Sequence, residues 1–395
     1  MNTFLTNIQS SYSRYFSGNP LIVCSPGRVN LIGEHTDYNE GFVLPAAIDK
    51  AILMAFSKNK DGMIRLHSVD MQPDYFETPV SKTYTKTGID WADYIIGVVD
   101  QLQKTGRETE GFNCAFGGNI PIGAGMSSSA ALEGGVAFGL SHLFGLDLTL
   151  MEMTKAAMMA ENEFVGVRCG IMDQFASLHG QKDKVLKLDC RSLEYELYPF
   201  EWDQMCLLLC DTGIRRALAV SEYNIRRQQC ETGVSVIRKS DPAISSLRDV
   251  SLEQVKNFRE EMDDLIYRRC RYVIEENKRV TDACAALTRN DLNAFGHKMY
   301  QSHHGLRNDY EVSCRELDLL VEATEQLESV LGARMMGGGF GGCTINLVNK
   351  DTLDDTIKQI REHYLKKTGK KPEFYVVNID KGTHLIKNQA FKNRK

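Results

Sequence analysis

No Cys-x-x-Cys occurs in this chain, so a structural zinc module built on paired thiolates is not expected. The eleven cysteines are odd in number and scattered, several inside apolar runs such as Leu207-Leu208-Leu209-Cys210. That pattern reads as free thiols in a reducing compartment. No stretch reaches the roughly 18 apolar residues of a spanning helix. The polar and aromatic start, Met1 to Pro20, lacks the apolar core of a signal peptide, so a cytoplasmic, membrane-free protein is expected. A net charge of -5 leaves no footprint for nucleic acid or an anionic membrane. Basic clusters are local: Arg215-Arg216, Arg226-Arg227, and Lys366-Lys367 with Lys370-Lys371. The last reads as a solvated face. Internal repeats and low-complexity linkers are also missing.

What is present suits an ordinary globular protein of two domains. The chain has 395 residues, 43% hydrophobic and 25% charged, and one core seldom serves that length. Short strands are predicted at Leu21–Cys24, Phe42–Leu44, Ala51–Ala55 and Ile64–His67. Helical spacing of Trp91, Tyr94, Ile95, Val98, Val99 and Leu102 predicts a helix stopped by Thr105-Gly106. A strand near Phe112–Phe116, a helix over Met151–Phe164 and a strand at Val185–Leu188 follow. A buried strand at Met205–Cys210 then precedes long charged helical stretches between about Ser221 and Gly332. Strand (Thr344–Val348), helix (Leu353–Lys367) and strand (Phe374–Ile379) complete an α+β pattern. The best boundary lies near Pro199–Gln204, giving units 1–200 and 201–395.

Four segments carry candidate chemistry. Gly27-Arg28-Val29-Asn30-Leu31-Ile32-Gly33-Glu34-His35-Thr36-Asp37-Tyr38 packs five strongly polar side chains between apolar ones. It reads either as a solvated turn or as a site for a polyhydroxylated ligand tethered to a core. Ile120-Pro121-Ile122-Gly123-Ala124-Gly125-Met126-Ser127-Ser128-Ser129-Ala130-Ala131 can open a helix whose N–H groups suit a phosphate. Its serines are candidate caps. Neither a Walker loop nor a dinucleotide fingerprint is formed, because no Gly-Lys-Ser/Thr follows and Ser128 holds the place of the third glycine. The alternative is a helix start packed closely on a neighbour. Gly337-Gly338-Gly339-Phe340-Gly341-Gly342 fixes unusual backbone, for a ligand or as a flexible hairpin. In Cys169-Gly170-Ile171-Met172-Asp173-Gln174-Phe175, Asp173 lies among apolar residues, which favours either a partner or a raised pKa, and a capping or salt-bridged aspartate explains it equally well. Glu161 is a possible oxygen ligand for a hard cation, or a surface glutamate.

Together these segments resemble the galactokinase branch of the GHMP family of small-molecule kinases, over nearly the whole chain. Gly27–Tyr38 resembles the galactokinase signature, Ile120–Ala131 the family's ATP loop, and Gly337–Gly342 its third motif. The resemblance implies a two-domain fold with the active site in the interdomain cleft. It implies phosphoryl transfer from MgATP to the anomeric hydroxyl of α-D-galactose. Asp173 and Arg28 would flank that hydroxyl as catalytic residues, Asp173 the candidate base and Arg28 offsetting developing charge. Glu34 and His35 would hold the C6 hydroxyl, and Asp37 those at C3 and C4. Gly170, Asp173 and Tyr223 would complete the sugar site. Gly123, Ala124, Gly125, Met126, Ser127, Ser128 and Ser129 would cradle the nucleotide, with Ser128 and Glu161 on Mg²⁺. Trp91 matches an aromatic near the adenine and equally reads as core; Arg215 matches an arginine able to meet phosphate. The implied partners are galactose and ATP alone, bound by a monomer.

Small departures from the pattern are Ala131, Asn162 and Asp90, none at a position assigned to chemistry. Two other readings fit these residues less well. A non-catalytic sugar sensor would have a deleted phosphate loop, whereas here the loop and Asp173 are complete. A sibling kinase for N-acetylgalactosamine, arabinose or galacturonate suits the Glu34-His35 pair less well than galactose does.

Overall fold

The computed structural model describes residues 2–121, 123–215 and 219–387. Ile122 of the phosphate loop and Arg216 of the basic cluster lie outside them. A six-stranded sheet runs in the order His384–Leu385, Leu21–Asn30, Pro45–Lys58, Phe112–Gly118, Met63–Ser68, Tyr75–Pro79. A four-stranded antiparallel sheet runs Val330–Met335, Cys343–Asn349, Met205–Asp211, Glu373–Val377. Phe42–Val43, Lys184–Asp189 and Tyr195–Pro199 make a small third sheet. Among the described residues no helix is long and apolar enough to cross a membrane, and all eleven cysteines are free.

The large sheet is covered on both faces, and the period of two along Pro45–Lys58 shows how. Ala51, Leu53 and Ala55 meet Ile8 and Tyr12 of a helix at Asn2–Tyr15. Ile52, Met54 and Phe56 face the main core and the helix Ser128–Phe144. The small residues of that helix allow it to lie directly on the strands. A Cβ on Gly139 would stand 2.4 Å from Phe56, and one on Gly135 2.4 Å from Met54. This contact sets the helix N-terminus beside the strand that carries Arg28.

Three elements differ from the sequence expectation. The opening segment falls in the first 80 residues, which read as short strands with turns, yet it is helical because Ile8 and Tyr12 have a sheet to bury against. The helix expected over Met151–Phe164 is α-helical only at Leu150–Met159, then widens into a π-turn, Ala160–Val165. Finally, the chain crosses back after the second sheet. Ile379 bridges Ile48, and His384–Leu385 pairs antiparallel with Cys24 and Val23. The segment beyond residue 380 thus completes the sheet of the first half.

Candidate active site

Strand Leu21–Asn30 carries a register shift between Pro26 and Arg28 where it pairs with Pro45–Lys58. The irregularity turns Arg28 toward the phosphate loop. Its backbone N–H donates to the Met126 carbonyl at 3.1 Å, and a Cβ on Gly27 would stand 2.6 Å from that oxygen. The buried guanidinium grips Asp173 in a two-point pair, Nε to Oδ1 at 2.8 Å and Nη2 to Oδ2 at 2.9 Å. Its Nη1 donates to the Gly125 carbonyl. Burial works against the charge of Arg28, yet the fields of Asp173 and Glu34 hold its pKa above the ordinary value. Asp173 sits in the first turn of helix Met172–His179, where the helix dipole favours an anion. Ser127 also donates to Asp173, so it does not cap its own helix as its residue type suggested. Its φ of 55° turns the hydroxyl away from the following N–H groups.

The segment after this strand lines the other half of the site. Glu34 is buried, and its Oε1 accepts from Arg334 Nη2 and from the Gly337 N–H, both at 2.7 Å. Burial raises its pKa, while Arg334 and Arg28 oppose the rise. Arg334, fully buried, also donates to the carbonyls of Leu31 and Asn30 at 2.8 Å. Burial drives His35 down to about 3, so the ring is neutral. Asp37 is pushed up to about 7, first by burial and then by Asp173. Gly170 has no room for a side chain, since a Cβ there would meet Asp37 Oδ2 at 2.1 Å. Tyr223, on helix Ala219–Arg238, packs 5.3 Å from the His35 ring.

Glu161 lies on the π-turn and is buried. Its Oε2 accepts from Gln174 Nε2 at 2.6 Å, and its Oε1 from Ser129 Oγ at 3.3 Å. Ser129, rather than Ser128, is thus the serine bonded to it. Gln174 reaches on to Glu133 Oε2 at 3.0 Å, while Glu133 Oε1 is buried with no hydrogen-bond partner among the described residues. Burial and Asp173 push Glu161 up to about 7, and burial and Glu161 push Glu133 up as well. This is a set of hard oxygen donors with no cationic side chain bonded to it among the described residues, which is the environment that a divalent cation suits.

These groups converge on one cavity of about 220 Å³ lined by Arg28, Glu34, His35, Asp37, Glu161, Gly170, Asp173, Tyr223 and Gly338, with Val167, Cys169 and Met172 as its less polar wall. That volume lies below the ~300–1,000 Å³ of drug-sized sites, so it suits one small ring. A second cavity, lined by Gly123, Gly125, Arg215 and Gly338–Gly342, adjoins it through Gly338. The glycine motif there takes positive φ at Gly337, Gly339, Gly341 and Gly342. Arg215 is paired with Asp211 at 2.6 Å beside Gly123. Ala124 and Met126 are buried beneath the loop. Trp91 borders neither cavity. It is a core residue whose indole N–H donates to the Pro73 carbonyl at 3.0 Å. Arg334, Glu133 and Gln174 were not anticipated. Two of them had a signal, each being an isolated charge in an apolar or small-residue run.

A glycine loop at a helix start, a glycine-rich wall facing it and an acidic pair between them define a small-molecule kinase of the GHMP type. Residues 93–181 match the GHMP kinases N terminal domain and residues 283–366 the GHMP kinases C terminal domain. Residues 10–58 match the galactokinase galactose-binding signature. A galactokinase of Fusobacterium nucleatum is 40% identical over 97% of this chain and 100% of its own. The human galactokinase is 39% identical over 97% and 96%. The crystal structure of Lactococcus lactis galactokinase complexed with galactose has a TM-score of 0.94 at 34% identity, covering 97% of this chain and 100% of that one. The chain belongs to the galactokinase family, the ATP-dependent sugar kinases of the GHMP group.

Proposed function

We propose that this chain transfers the γ-phosphoryl group of MgATP to the anomeric hydroxyl of α-D-galactose, giving α-D-galactose 1-phosphate and ADP. The observation that carries the reading is the Arg28–Asp173 pair, which faces the small polar cavity while Arg28 also holds the phosphate loop at Gly125. Asp173 accepts the proton of the attacking hydroxyl or holds it by charge. Arg28 offsets the negative charge that grows as the phosphoryl group moves. Glu34 and His35 take the C6 hydroxyl, Asp37 those at C3 and C4, and Tyr223 the neighbourhood of C4. The backbone of Gly123–Ser129 and the start of helix Ser128–Phe144 take the phosphates.

Glu161, with Ser128 or Ser129, is fitted to hold Mg²⁺, because its buried carboxylate has no positive partner among the described residues. When bound, the cation neutralises phosphate charge. Incubating the protein with MgATP and a dozen monosaccharides tests the assignment. Galactose is expected to be phosphorylated. Turnover of N-acetylgalactosamine with none of galactose would overturn it.

A further inference from the structure

His35 sits in a box of tyrosines, with ring centroids 4.9 Å from Tyr310, 5.3 Å from Tyr223 and 5.8 Å from Tyr38. Its Nδ1 lies 2.8 Å from the Tyr38 hydroxyl. That hydroxyl lies 2.7 Å from the Tyr310 hydroxyl, which lies 3.2 Å from Cys230 Sγ. The chain is drawn from three distant parts of the sequence. Tyr38 stands on the turn Asp37–Asn39, Tyr310 follows helix Leu292–Asn308, and Cys230 is on helix Ala219–Arg238. On that last helix Tyr223, Arg226 and Cys230 share a face, at i, i+3 and i+7. Tyr223 lines the cavity, Arg226 holds the carbonyls of Tyr310 and Glu311 at 2.9 and 2.8 Å, and Cys230 ends the chain. The other ring nitrogen of His35, Nε2, is buried and has no hydrogen-bond partner among the described residues.

A neutral imidazole carries its proton on one nitrogen only, and the bond made by the other nitrogen decides which. Between Tyr38 and Nδ1 the phenol is the stronger acid and the imidazole nitrogen the stronger base, so Tyr38 donates. One proton lies on each link of the chain. Tyr310 therefore donates to Tyr38 and accepts from the Cys230 thiol. We propose that Tyr38, backed by Tyr310 and Cys230, is a positioning residue that fixes His35 as the Nε2–H tautomer, making this wall of the cavity a donor. The ring's neutrality agrees with this, as burial and the Arg226 field both oppose its protonation. The Gly338 backbone faces the ring and favours a proton on it.

The consequence for substrate rests on the reading of the cavity as a galactose site. A donor at His35 beside the carboxylate acceptor of Glu34 fits a hydroxyl, which accepts from one and donates to the other. A group that can only accept, or only donate, leaves one of them unpaired.

The test is ring nitrogen-15 NMR of the ligand-free protein, the His35 signals identified by their loss in His35→Asn. Wild type is expected to show Nε2 protonated and Nδ1 bare. Tyr310→Phe frees the Tyr38 oxygen to accept from Nδ1–H and is expected to loosen the preference, with a smaller Nδ1-protonated fraction than in Tyr38→Phe. Tyr38→Phe is expected to give a tautomer mixture. A protonated Nδ1 in wild type, or no change in Tyr38→Phe, would overturn the proposal. If Tyr38→Phe does not fold, the wild-type and Tyr310→Phe spectra still decide. In steady state, Tyr38→Phe is expected to raise the galactose KM by about three- to tenfold, the scale of one hydrogen bond, with kcat within about twofold. The penalty should vanish for 6-deoxygalactose. An equal penalty on both sugars, with the tautomer shift seen, would overturn the C6 assignment and support the tautomer inference.

Discussion

Glu34 is half of a buried ion pair as well as the proposed contact for the C6 hydroxyl, and the two roles separate under mutation. Glu34→Ala strands the Arg334 guanidinium in the core, and breaking a buried pair costs about 3–5 kcal/mol. Thermal unfolding of Glu34→Ala should show that loss alongside weakened galactose binding. Adding Arg334→Met should restore much of the melting temperature and none of the affinity; unchanged melting in the single variant would show that the pair contributes nothing. Asp173→Asn keeps its size and loses its charge. Steady-state kinetics should show kcat down by roughly a hundredfold or more, with galactose still bound by calorimetry. Retention of more than about a tenth of the wild-type kcat would remove Asp173 from the chemistry. Asp37 and Glu161 are both pushed up to about 7, so the folded protein binds protons that the unfolded chain releases near pH 4. Stability of the ligand-free protein should therefore fall as pH rises from about 4 to about 7. Asp37→Asn should flatten that slope and raise the melting temperature at pH 7.5 while abolishing tight sugar binding. A slope unchanged by the substitution would count against the shift at Asp37.

The elements owe their positions to small residues as much as to apolar ones. Gly139→Val should lift helix Ser128–Phe144 from Phe56 and displace the loop at its start, raising the ATP KM more than the galactose KM. An ATP KM unchanged in a folded variant would show that the helix does not set the loop. Periodicity made the strands and the helix Asp90–Lys104 legible, because each buries one regular set of side chains. The signature segment was legible because its polar groups are interleaved with Val29, Leu31 and Ile32, all fully buried. The π-turn was hidden, since Ala160–Val165 continues the helical composition and only tertiary contact widens it. Arg334 and Glu133 were visible as lone charges, yet nothing local says where such a charge points. Tyr38 stood at the end of the signature segment with no role marked for it, and Tyr310 gave no signal at all. Their bond joins positions 272 residues apart.

Across the whole molecule, the last described segment holds the first strand and the Asp173 helix together. Thr383 bonds Ser25 Oγ at 2.9 Å and the Ser177 carbonyl at 3.0 Å, while Ser177 donates to the Pro26 carbonyl at 2.7 Å. Strand Leu21–Asn30 carries Arg28, and helix Met172–His179 carries Asp173. Ending the chain after Lys381 should therefore lower the melting temperature and depress kcat together. Activity equal to wild type would show that the segment is only a surface strap. The same geometry governs the order in which the protein can be made. The edge of Leu21–Asn30 that receives residues 384 and 385 stays open until that distant segment has been made, and an open edge is a template for unwanted pairing. A polypeptide that stops before this segment thus leaves the edge unpaired and the elements that carry Arg28 and Asp173 without their common tether.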